Sequence, residues 1–209
     1  MRASSFCGVI LAAGESSRMG RDKALLPWPA SHGATGTGTF LTATIQALRE
    51  NTDMIIVVAG KNTAALEPIV YAQGGFIITN TAPELGQFSS LKLGIQDVLN
   101  RGRDAAIVTL VDKAPVASAT VAGLRQEYMV STDDVWAVVP EYEGDHGHPI
   151  VVGREMMSAF LHTPLTATAR DVMHANEKHV RYVRVNDPHV TLNINTPEDY
   201  ERLITAPTH

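Results

Sequence analysis

The amino-acid sequence predicts a single α/β domain with a three-layer, Rossmann-like, mostly parallel sheet. Short apolar runs of strand length alternate along the chain with segments in which apolar residues recur at helical spacing. Strands that alternate with helices form right-handed crossover units, and such units build parallel sheets covered on both faces. The length of 209 residues fits one domain with a sizeable core.

Composition narrows the class of protein. Hydrophobic residues make up 44% of the chain and charged residues 19%, which is typical of a folded globular domain. The formal net charge of -5 argues against a broad nucleic-acid surface, and no apolar run approaches the ~20 residues of a membrane span. Cys7 is the only cysteine, so the chain can form neither an internal disulfide nor a cysteine-based zinc cluster. We expect a cytoplasmic protein that binds neither nucleic acid nor membranes.

The predicted strands are short apolar runs. The first run also resembles the apolar core of a signal peptide, because Arg2 precedes it. A cationic loop with chemistry of its own follows this run, which favours a buried strand instead. The runs that predict buried strands are 9–12, Met54–Ala59, 76–78, Ala105–Leu110 and 135–139.

Apolar periodicity and capping residues predict the helices. Positions 41, 45 and 48, and later 91, 95, 98 and 99, predict two amphipathic helices that pack on the sheet. A last helix begins at Pro197 with Thr196 as its N-cap and turns Tyr200, Leu203 and Ile204 inward. The Gly/Thr-rich stretch 31–38 predicts a surface loop, and residues 146–184 are expected to form a lobe that binds an acceptor.

The segment after the first strand carries small residues and then cations. These residues are Leu11, Ala12, Ala13, Gly14, Arg18 and Lys23. Small residues let backbone N–H groups approach phosphate oxygens, Arg can bind such oxygens bidentately, and Lys supplies a point charge. The segment lacks both the Walker A ending and the dinucleotide G-x-G-x-x-G pattern. It predicts a nucleotide phosphate site, the alternative being an ordinary turn with solvated cations.

This segment resembles the signature L-A-[AG]-G-x-S-x-R-M-G-x-x-K of the MobA-like NTP transferases, which transfer NMP from an NTP. Within that superfamily it is most similar to the molybdenum cofactor cytidylyltransferase group. Nearly the whole chain takes part in the resemblance, and the fold it implies is that of the nucleotide-diphospho-sugar transferases. The other matching segments are Asn80 with Gly86-Gln87-Phe88-Ser89-Ser90-Leu91, Val111-Asp112, Gly147-His148-Pro149 and Asn195-Thr196-Pro197-Glu198-Asp199-Tyr200.

The resemblance implies roles for the matching residues. It assigns catalysis to Arg18, Lys23 and Asp112, and Mg²⁺ binding to Asp112 and Asn195. The nucleotide would contact Leu11, Ala12, Ala13, Gly14, Arg18, Lys23, Asn80 and Ser89. The acceptor would contact Gly147, His148 and Pro149. A structural turn is the alternative for this last motif.

Asp112 follows the apolar run Ala105–Leu110, so it should lie at the carboxyl end of a strand. Mg²⁺ prefers one or two carboxylates together with phosphates and water, which suits a single aspartate there. A helix cap or a turn is the ordinary alternative for such a residue.

Two departures from the family pattern stand near this aspartate. The family's D-x-P becomes Asp112-Lys113-Ala114-Pro115, and its D-x-D-T-P aspartates become Asn193 and Asn195. An asparagine carbonyl can still face Mg²⁺, at reduced affinity. His146 and His148 could be taken for a metal pair, but no third ligand is in view.

Residues and resemblance together predict Mg²⁺-dependent transfer of CMP from CTP to a phosphorylated acceptor, expected to be a molybdopterin cofactor, with release of pyrophosphate. A guanylyltransferase, or another NTP transferase with a different acceptor, is an alternative. So is a non-catalytic, cofactor-binding chaperone that serves a molybdoenzyme.

Overall fold

The computed structural model of the chain describes residues 5–14, 16, 19–28 and 38–205, whose strands form one large sheet and one small one. The strands are β1 (Phe6–Ala12), β2 (Pro27–Trp28), β3 (Gly38–Thr39), β4 (Met54–Ala59), β5 (Phe76–Thr79), β6 (Ala105–Leu110), β7 (Ala137–Tyr142), β8 (Asp145–His146), β9 (Ile150–Gly153) and β10 (Val180–Arg184). The large sheet has the order β10-β7-β9-β6-β1-β4-β5, with β8 paired to β7, while β2 pairs with β3.

Strand β1 lies in the interior of the large sheet. It pairs in parallel with β4 on one side and with β6 on the other, so that Ala12 lies beside Ala59 and Leu11 beside Leu110. The carboxyl ends of these three strands therefore meet at one edge, where ligands bind in sheets of this kind. Strand β9 is antiparallel to both β6 and β7. The predicted α/β fold with a mostly parallel sheet is confirmed.

Helices cover both faces of the sheet. They are α1 (Phe40–Arg49), α2 (Thr63–Ala72), α3 (Gln87–Asn100), α4 (Ser118–Val130), α5 (Arg154–His162), α6 (Ala169–Ala175) and α7 (Pro197–Thr205). Apolar residues of α1, α2 and α4 share one core cluster, and those of α3, α5 and α6 share a second on the other face. None of the described helices is both long and apolar enough to cross a membrane.

A third, smaller core cluster connects the first loop to the C-terminal helix. Met19 and Leu26 pack there with Ile194 and Tyr200. The Tyr200 hydroxyl also donates to the Pro27 carbonyl. The predicted N-cap of α7 is confirmed, since the Thr196 hydroxyl accepts from the backbone N–H of Asp199 at 3.2 Å. This cluster brings chain ends that are far apart in sequence to the same edge of the sheet.

Some predicted elements need correction. The run 76–78 is not buried: β5 is an edge strand with β4 as its neighbour, and Phe76 is 42% exposed. The run 135–139 also begins too early, because β7 starts at Ala137, where pairing with Val180 begins. The predicted loop 31–38 lies outside the described residues except for Gly38. Residues 146–184 contribute β9 and β10 to the large sheet, and their part in acceptor binding stays a prediction.

Candidate functional site

The first loop leaves β1 at Ala12 and is held in shape by Asn62. The Asn62 side-chain amide donates to the Ala12 carbonyl at 2.9 Å and to the Asp22 carboxylate at 2.6 Å. Its oxygen accepts from the backbone N–H of Gly60 at 3.0 Å. One side chain thus joins the ends of β1 and β4 to the far end of the loop. A Cβ added to Gly60 would lie 2.8 Å from the Ala13 carbonyl, so this close approach requires glycine.

The small residues predicted to approach the nucleotide differ in burial. Leu11, Ala12 and Ala13 are buried in the sheet end, with Ala13 8% exposed. Gly14 is exposed, and a Cβ added to it would meet no atom within 4 Å among the described residues beyond its own chain neighbours. Packing within the described chain therefore does not explain glycine at this position, whereas close approach of a ligand would. Arg18, the predicted phosphate-binding arginine, lies outside the described residues.

Lys23 lies at the far end of the same loop, in the short 3₁₀ turn Lys23–Leu25. Its side chain is 8% exposed, and its ammonium donates to Asn195 Oδ1 at 3.1 Å. The N–H of Ile194, the neighbour of Asn195, donates to the Asp112 carbonyl at 2.8 Å. Three predicted site residues from distant parts of the sequence thus meet at the edge where β1 and β6 end.

Asp112 offers an oxygen for a cation. It follows β6 by two residues, and the preceding N–H, that of Val111, donates to the Leu11 carbonyl at 3.0 Å. Asp112 Oδ1 is buried and has no hydrogen-bond partner among the described residues. Such an orphaned carboxylate oxygen is costly unless a cation or donor satisfies it. The residues therefore fit a Mg²⁺ ion that is bound by one carboxylate and by phosphates.

A metal cage built by protein side chains alone has no support in the part of the chain that the structure describes. No group of three or more His, Cys, Asp or Glu side chains there could hold a metal ion. The two histidines of the possible metal pair, His146 and His148, also lie in different surroundings. The His146 ring stacks on Tyr182 with ring centroids 3.9 Å apart, whereas His148 Nδ1 is buried.

The unusual segment after Asp112 pairs with the C-terminal segment. Lys113 and Asn193 form an antiparallel bridge, and the N–H of Ala114 donates to the Leu192 carbonyl at 3.1 Å. Burial lowers the pKa of Lys113, and the charge of Asp112 opposes that effect. The displaced proline therefore lies in an ordered loop, and Asn193 faces Lys113 across this bridge.

Further contacts fix the end of this loop. His189 Nδ1 lies 2.8 Å from the Pro115 carbonyl. The Asp187 carboxylate accepts from the backbone N–H of Ala117 at 3.0 Å and from the Thr120 hydroxyl at 2.7 Å. Asp187 therefore caps the start of α4.

Asn80 and Ser89 use their side chains inside the protein. The Asn80 amide donates to the hydroxyls of Ser89 and Ser90, both at 2.9 Å, and its oxygen accepts from the N–H of Ala82 at 2.9 Å. The Ser89 hydroxyl in turn donates to the Gly86 carbonyl at 2.7 Å. Both residues are buried, so these contacts shape the loop before α3.

The predicted acceptor motif lies against the C-terminal segment. The N–H of His148 donates to the Val190 carbonyl at 2.8 Å, and the His148–Pro149 peptide bond is cis. Burial, with a smaller contribution from the Lys113 charge, lowers the pKa of His148 to about 4. This imidazole is therefore neutral near pH 7.

Sequence reasoning missed Asn62, Asp22 and Asp187, each of which holds a loop of the site. An asparagine or aspartate at the end of a strand or beside a turn is a weak signal, because such residues usually bond only their own neighbours. Asp22 lies directly before Lys23 in the first loop. Its Oδ1 accepts from the N–H of Ala24, a local contact that the spacing could have suggested.

Comparison with known proteins identifies the family of the chain. The family model described as "MobA-like NTP transferase domain" matches residues 8–181. The molybdenum cofactor cytidylyltransferase of Escherichia coli (strain K12) is 26% identical over 193 residues, which cover 92% of each chain. The molybdenum cofactor guanylyltransferase of Xanthomonas euvesicatoria pv. vesicatoria (strain 85-10) is 30% identical over 205 residues, 94% of this chain and 93% of that protein.

Solved structures share the fold. Rv0371c from Mycobacterium tuberculosis H37Rv matches with a TM-score of 0.80 and 26% identity, over 99% of this chain and 100% of that one. A manganese complex of Rv0371c matches with a TM-score of 0.77 and 23% identity, over 98% and 100% of the two chains.

Proposed function

Because the chain belongs to the MobA-like NTP transferase family, we propose that this nucleotidyltransferase moves CMP from CTP to a phosphorylated, molybdopterin-type acceptor. The observation that carries the proposal is the meeting of Lys23, Asn195 and Asp112 at the edge where β1 and β6 end. A buried ammonium and a carboxylate with an unpartnered oxygen, both at this edge and next to a loop of small residues, suit a metal-bound triphosphate. Nucleoside triphosphates are present in the cytoplasm, and we expect the enzyme to act there.

The reaction is an in-line displacement at phosphorus. An oxygen of the acceptor phosphate bonds to the α-phosphorus of the nucleotide, the bond to the bridging oxygen of the β-phosphate breaks, and pyrophosphate leaves. The nucleophile is already anionic, so no protein side chain has to remove a proton. Catalysis then depends on alignment and on stabilisation of charge.

Each proposed catalytic residue has one electrostatic task. Lys23, and Arg18 with it, would neutralise the triphosphate and the departing pyrophosphate. Backbone N–H groups around Ala13 and Gly14 would hold phosphate oxygens. Asn80 and Ser89 would act indirectly, since their side chains hold the loop at Gly86 in place.

Asp112 and Asn195 are the residues that would hold Mg²⁺. The orphaned Oδ1 of Asp112 supports this assignment. Mg²⁺, when bound, would offset charge on the phosphate oxygens. Rv0371c, which shares the fold, is known in a complex with manganese, and this supports the use of a divalent ion.

The identity of the nucleotide base is a separate question, because both a cytidylyltransferase and a guanylyltransferase are similar to this chain. The cytidylyltransferase is 26% identical and the guanylyltransferase 30%. GMP transfer from GTP is therefore the second candidate. Ala13 favours cytosine in our proposal: it packs against Gly60, and its methyl group would leave less room for a purine if the base lies beside it.

The acceptor is expected beside Gly147, His148 and Pro149. A groove begins at Asn195 and extends past Asn193 and Leu192 to the turn between β7 and β8. It would let an acceptor reach the nucleotide from the C-terminal side. The molybdopterin class itself rests on the names of the relatives.

A nucleotide panel tests the proposal. The purified protein is incubated with Mg²⁺, molybdopterin and each NTP in turn, and pyrophosphate release is measured. We expect release with CTP and a shift towards GTP in the Ala13→Gly variant. Release with GTP alone would assign the second candidate. Binding of an NTP without turnover would instead favour a cofactor-binding chaperone for a molybdoenzyme.

A further inference from the structure

Lys23 and Asn195 are joined by a contact at the centre of the site. The ammonium of the buried Lys23 donates to Asn195 Oδ1 at 3.1 Å. Both backbones are anchored, since the N–H of Lys23 donates to the Ser16 hydroxyl at 3.2 Å and the N–H of Asn195 to the Asp199 carboxylate at 3.0 Å. The contact therefore joins two segments whose backbones are fixed by hydrogen bonds, whereas a lysine at a solvated surface would move freely.

The oxygen of Asn195 that accepts from Lys23 is also the proposed second ligand of the divalent cation. We propose that the Lys23 ammonium holds this ligand in the metal-free enzyme and moves to the triphosphate when metal and nucleotide bind together. The inference rests on the proposed function and adds an order of binding to it, in which the cation enters the site together with the nucleotide.

The charges of these groups explain why Lys23 would leave Asn195 only when metal and nucleotide bind together. Asn195 is neutral, so its carbonyl cannot compensate an ammonium and a divalent ion at the same time, as an aspartate could in part. A metal ion alone would have to displace a buried ammonium from its acceptor, which is costly. A triphosphate brings new oxygens for Lys23, and the exchange then becomes favourable.

This arrangement predicts effects of opposite sign for one substitution. Removing the Lys23 charge should strengthen binding of the metal alone, because a competing cation leaves its ligand. The same substitution should weaken binding of the nucleotide, because a phosphate contact is lost. A lysine that only binds phosphate would give the second effect without the first.

Mn²⁺ serves as the probe, because its free concentration can be followed by electron paramagnetic resonance. Titrations without nucleotide compare the wild type with Lys23→Met, Asn195→Ala and the double variant. Methionine keeps the volume of the buried lysine, and Lys23→Gln is the second variant should Lys23→Met fold poorly. Lys92→Met is the matched control: it changes the net charge equally, but its ammonium donates to the Thr163 carbonyl on α3's side of the sheet.

We expect Lys23→Met to bind Mn²⁺ alone about tenfold more tightly, the scale of removing a like charge a few ångströms away. Lys92→Met should stay within about twofold of the wild type because solvent and salt screen its charge. The gain in Mn²⁺ affinity should be absent from the double variant that combines Lys23→Met with Asn195→Ala. Equal affinities in Lys23→Met and the wild type would overturn the inference, as would a gain that persists in the double variant.

Parallel titrations with CTP and GTP separate this inference from the proposed function. Wild-type protein that binds neither nucleotide would contradict the proposed function. Wild-type protein that binds nucleotide, but binds Mn²⁺ equally well with and without it, would overturn only the exchange.

Discussion

The Val190 carbonyl occupies the space into which a side chain on Gly147 would have to point. A Cβ added to Gly147 would lie 2.2 Å from that oxygen. The same carbonyl accepts from the N–H of His148 at 2.8 Å. The predicted acceptor motif is thereby fastened to the segment that leads to Asn195.

Gly147→Ala should therefore destabilise the protein. The new methyl group would press on backbone atoms that cannot rotate away, and overpacking of this kind costs about 2 kcal/mol. Urea unfolding followed by circular dichroism measures the loss. Gly123→Ala is the matched control, because among the described residues outside the local turn of α4 no atom lies within 4 Å of the added Cβ. An unchanged unfolding midpoint in Gly147→Ala would refute the close contact.

Gly14→Ala should behave in the opposite way. Apart from its chain neighbours, no described residue lies within 4 Å of the added methyl group, so the free energy of unfolding should change by less than about 0.5 kcal/mol. Nucleotide affinity should fall roughly tenfold, equivalent to about 1.4 kcal/mol, because the methyl group would stand where we propose that the triphosphate approaches. Isothermal titration with CTP and GTP checks this. Full affinity in the variant would remove Gly14 from the nucleotide site.

Asn80→Ala should reduce stability first and nucleotide binding only indirectly. It leaves the hydroxyls of Ser89 and Ser90 without their buried donor, which costs about 2 kcal/mol. Thermal unfolding without ligand measures this loss, and Asn100→Ala on the exposed end of α3 is the control. Wild-type stability together with weakened nucleotide binding would show that Asn80 contacts the ligand directly.

Asp112→Ala and Lys23→Ala should each lower turnover about a hundredfold, because Asp112 is proposed to hold the Mg²⁺ ion and Lys23 to neutralise the reacting phosphates. Neither should unfold the protein. Pyrophosphate release at saturating nucleotide is the measurement, and Glu155→Gln on the exposed side of α5 is the control for loss of a carboxylate. Near-wild-type release from both site variants would refute the assignment of the site.

His148 should make stability depend on pH. Burial lowers its pKa from 6.5 to about 4 in the folded chain, so between these values the unfolded chain binds a proton that the folded chain does not. Stability from this group is fully present above pH 6.5 and is lost as the pH falls towards 4, by about 2 to 3 kcal/mol in total. Unfolding measured from pH 4.5 to 7.5 should have a shallower slope in His148→Gln. Parallel slopes would mean that His148 titrates normally.

Much of the fold follows from local sequence. Met54–Ala59 and Ala105–Leu110 form strands with the predicted bounds, because central strands of a parallel sheet are apolar on both sides. The edge strand that contains Phe76 is equally apolar, and its sequence does not distinguish it from a central strand. Burial depends on whether a neighbour covers the strand, which periodicity does not encode.

The sequence by itself determined the alternation of strands and helices, the small residues of the first loop and the aspartate at the end of β6, since each depends on neighbours in the chain. Tertiary structure alone decided that Lys23 bonds Asn195, 172 positions away, and that Asn62 ties the ends of β1 and β4 together. It also decided that the Asn80 side-chain amide bonds the hydroxyls of Ser89 and Ser90. Such partnerships arise because distant segments meet at one edge of the sheet, where buried polar groups must find whichever partners the fold brings within reach.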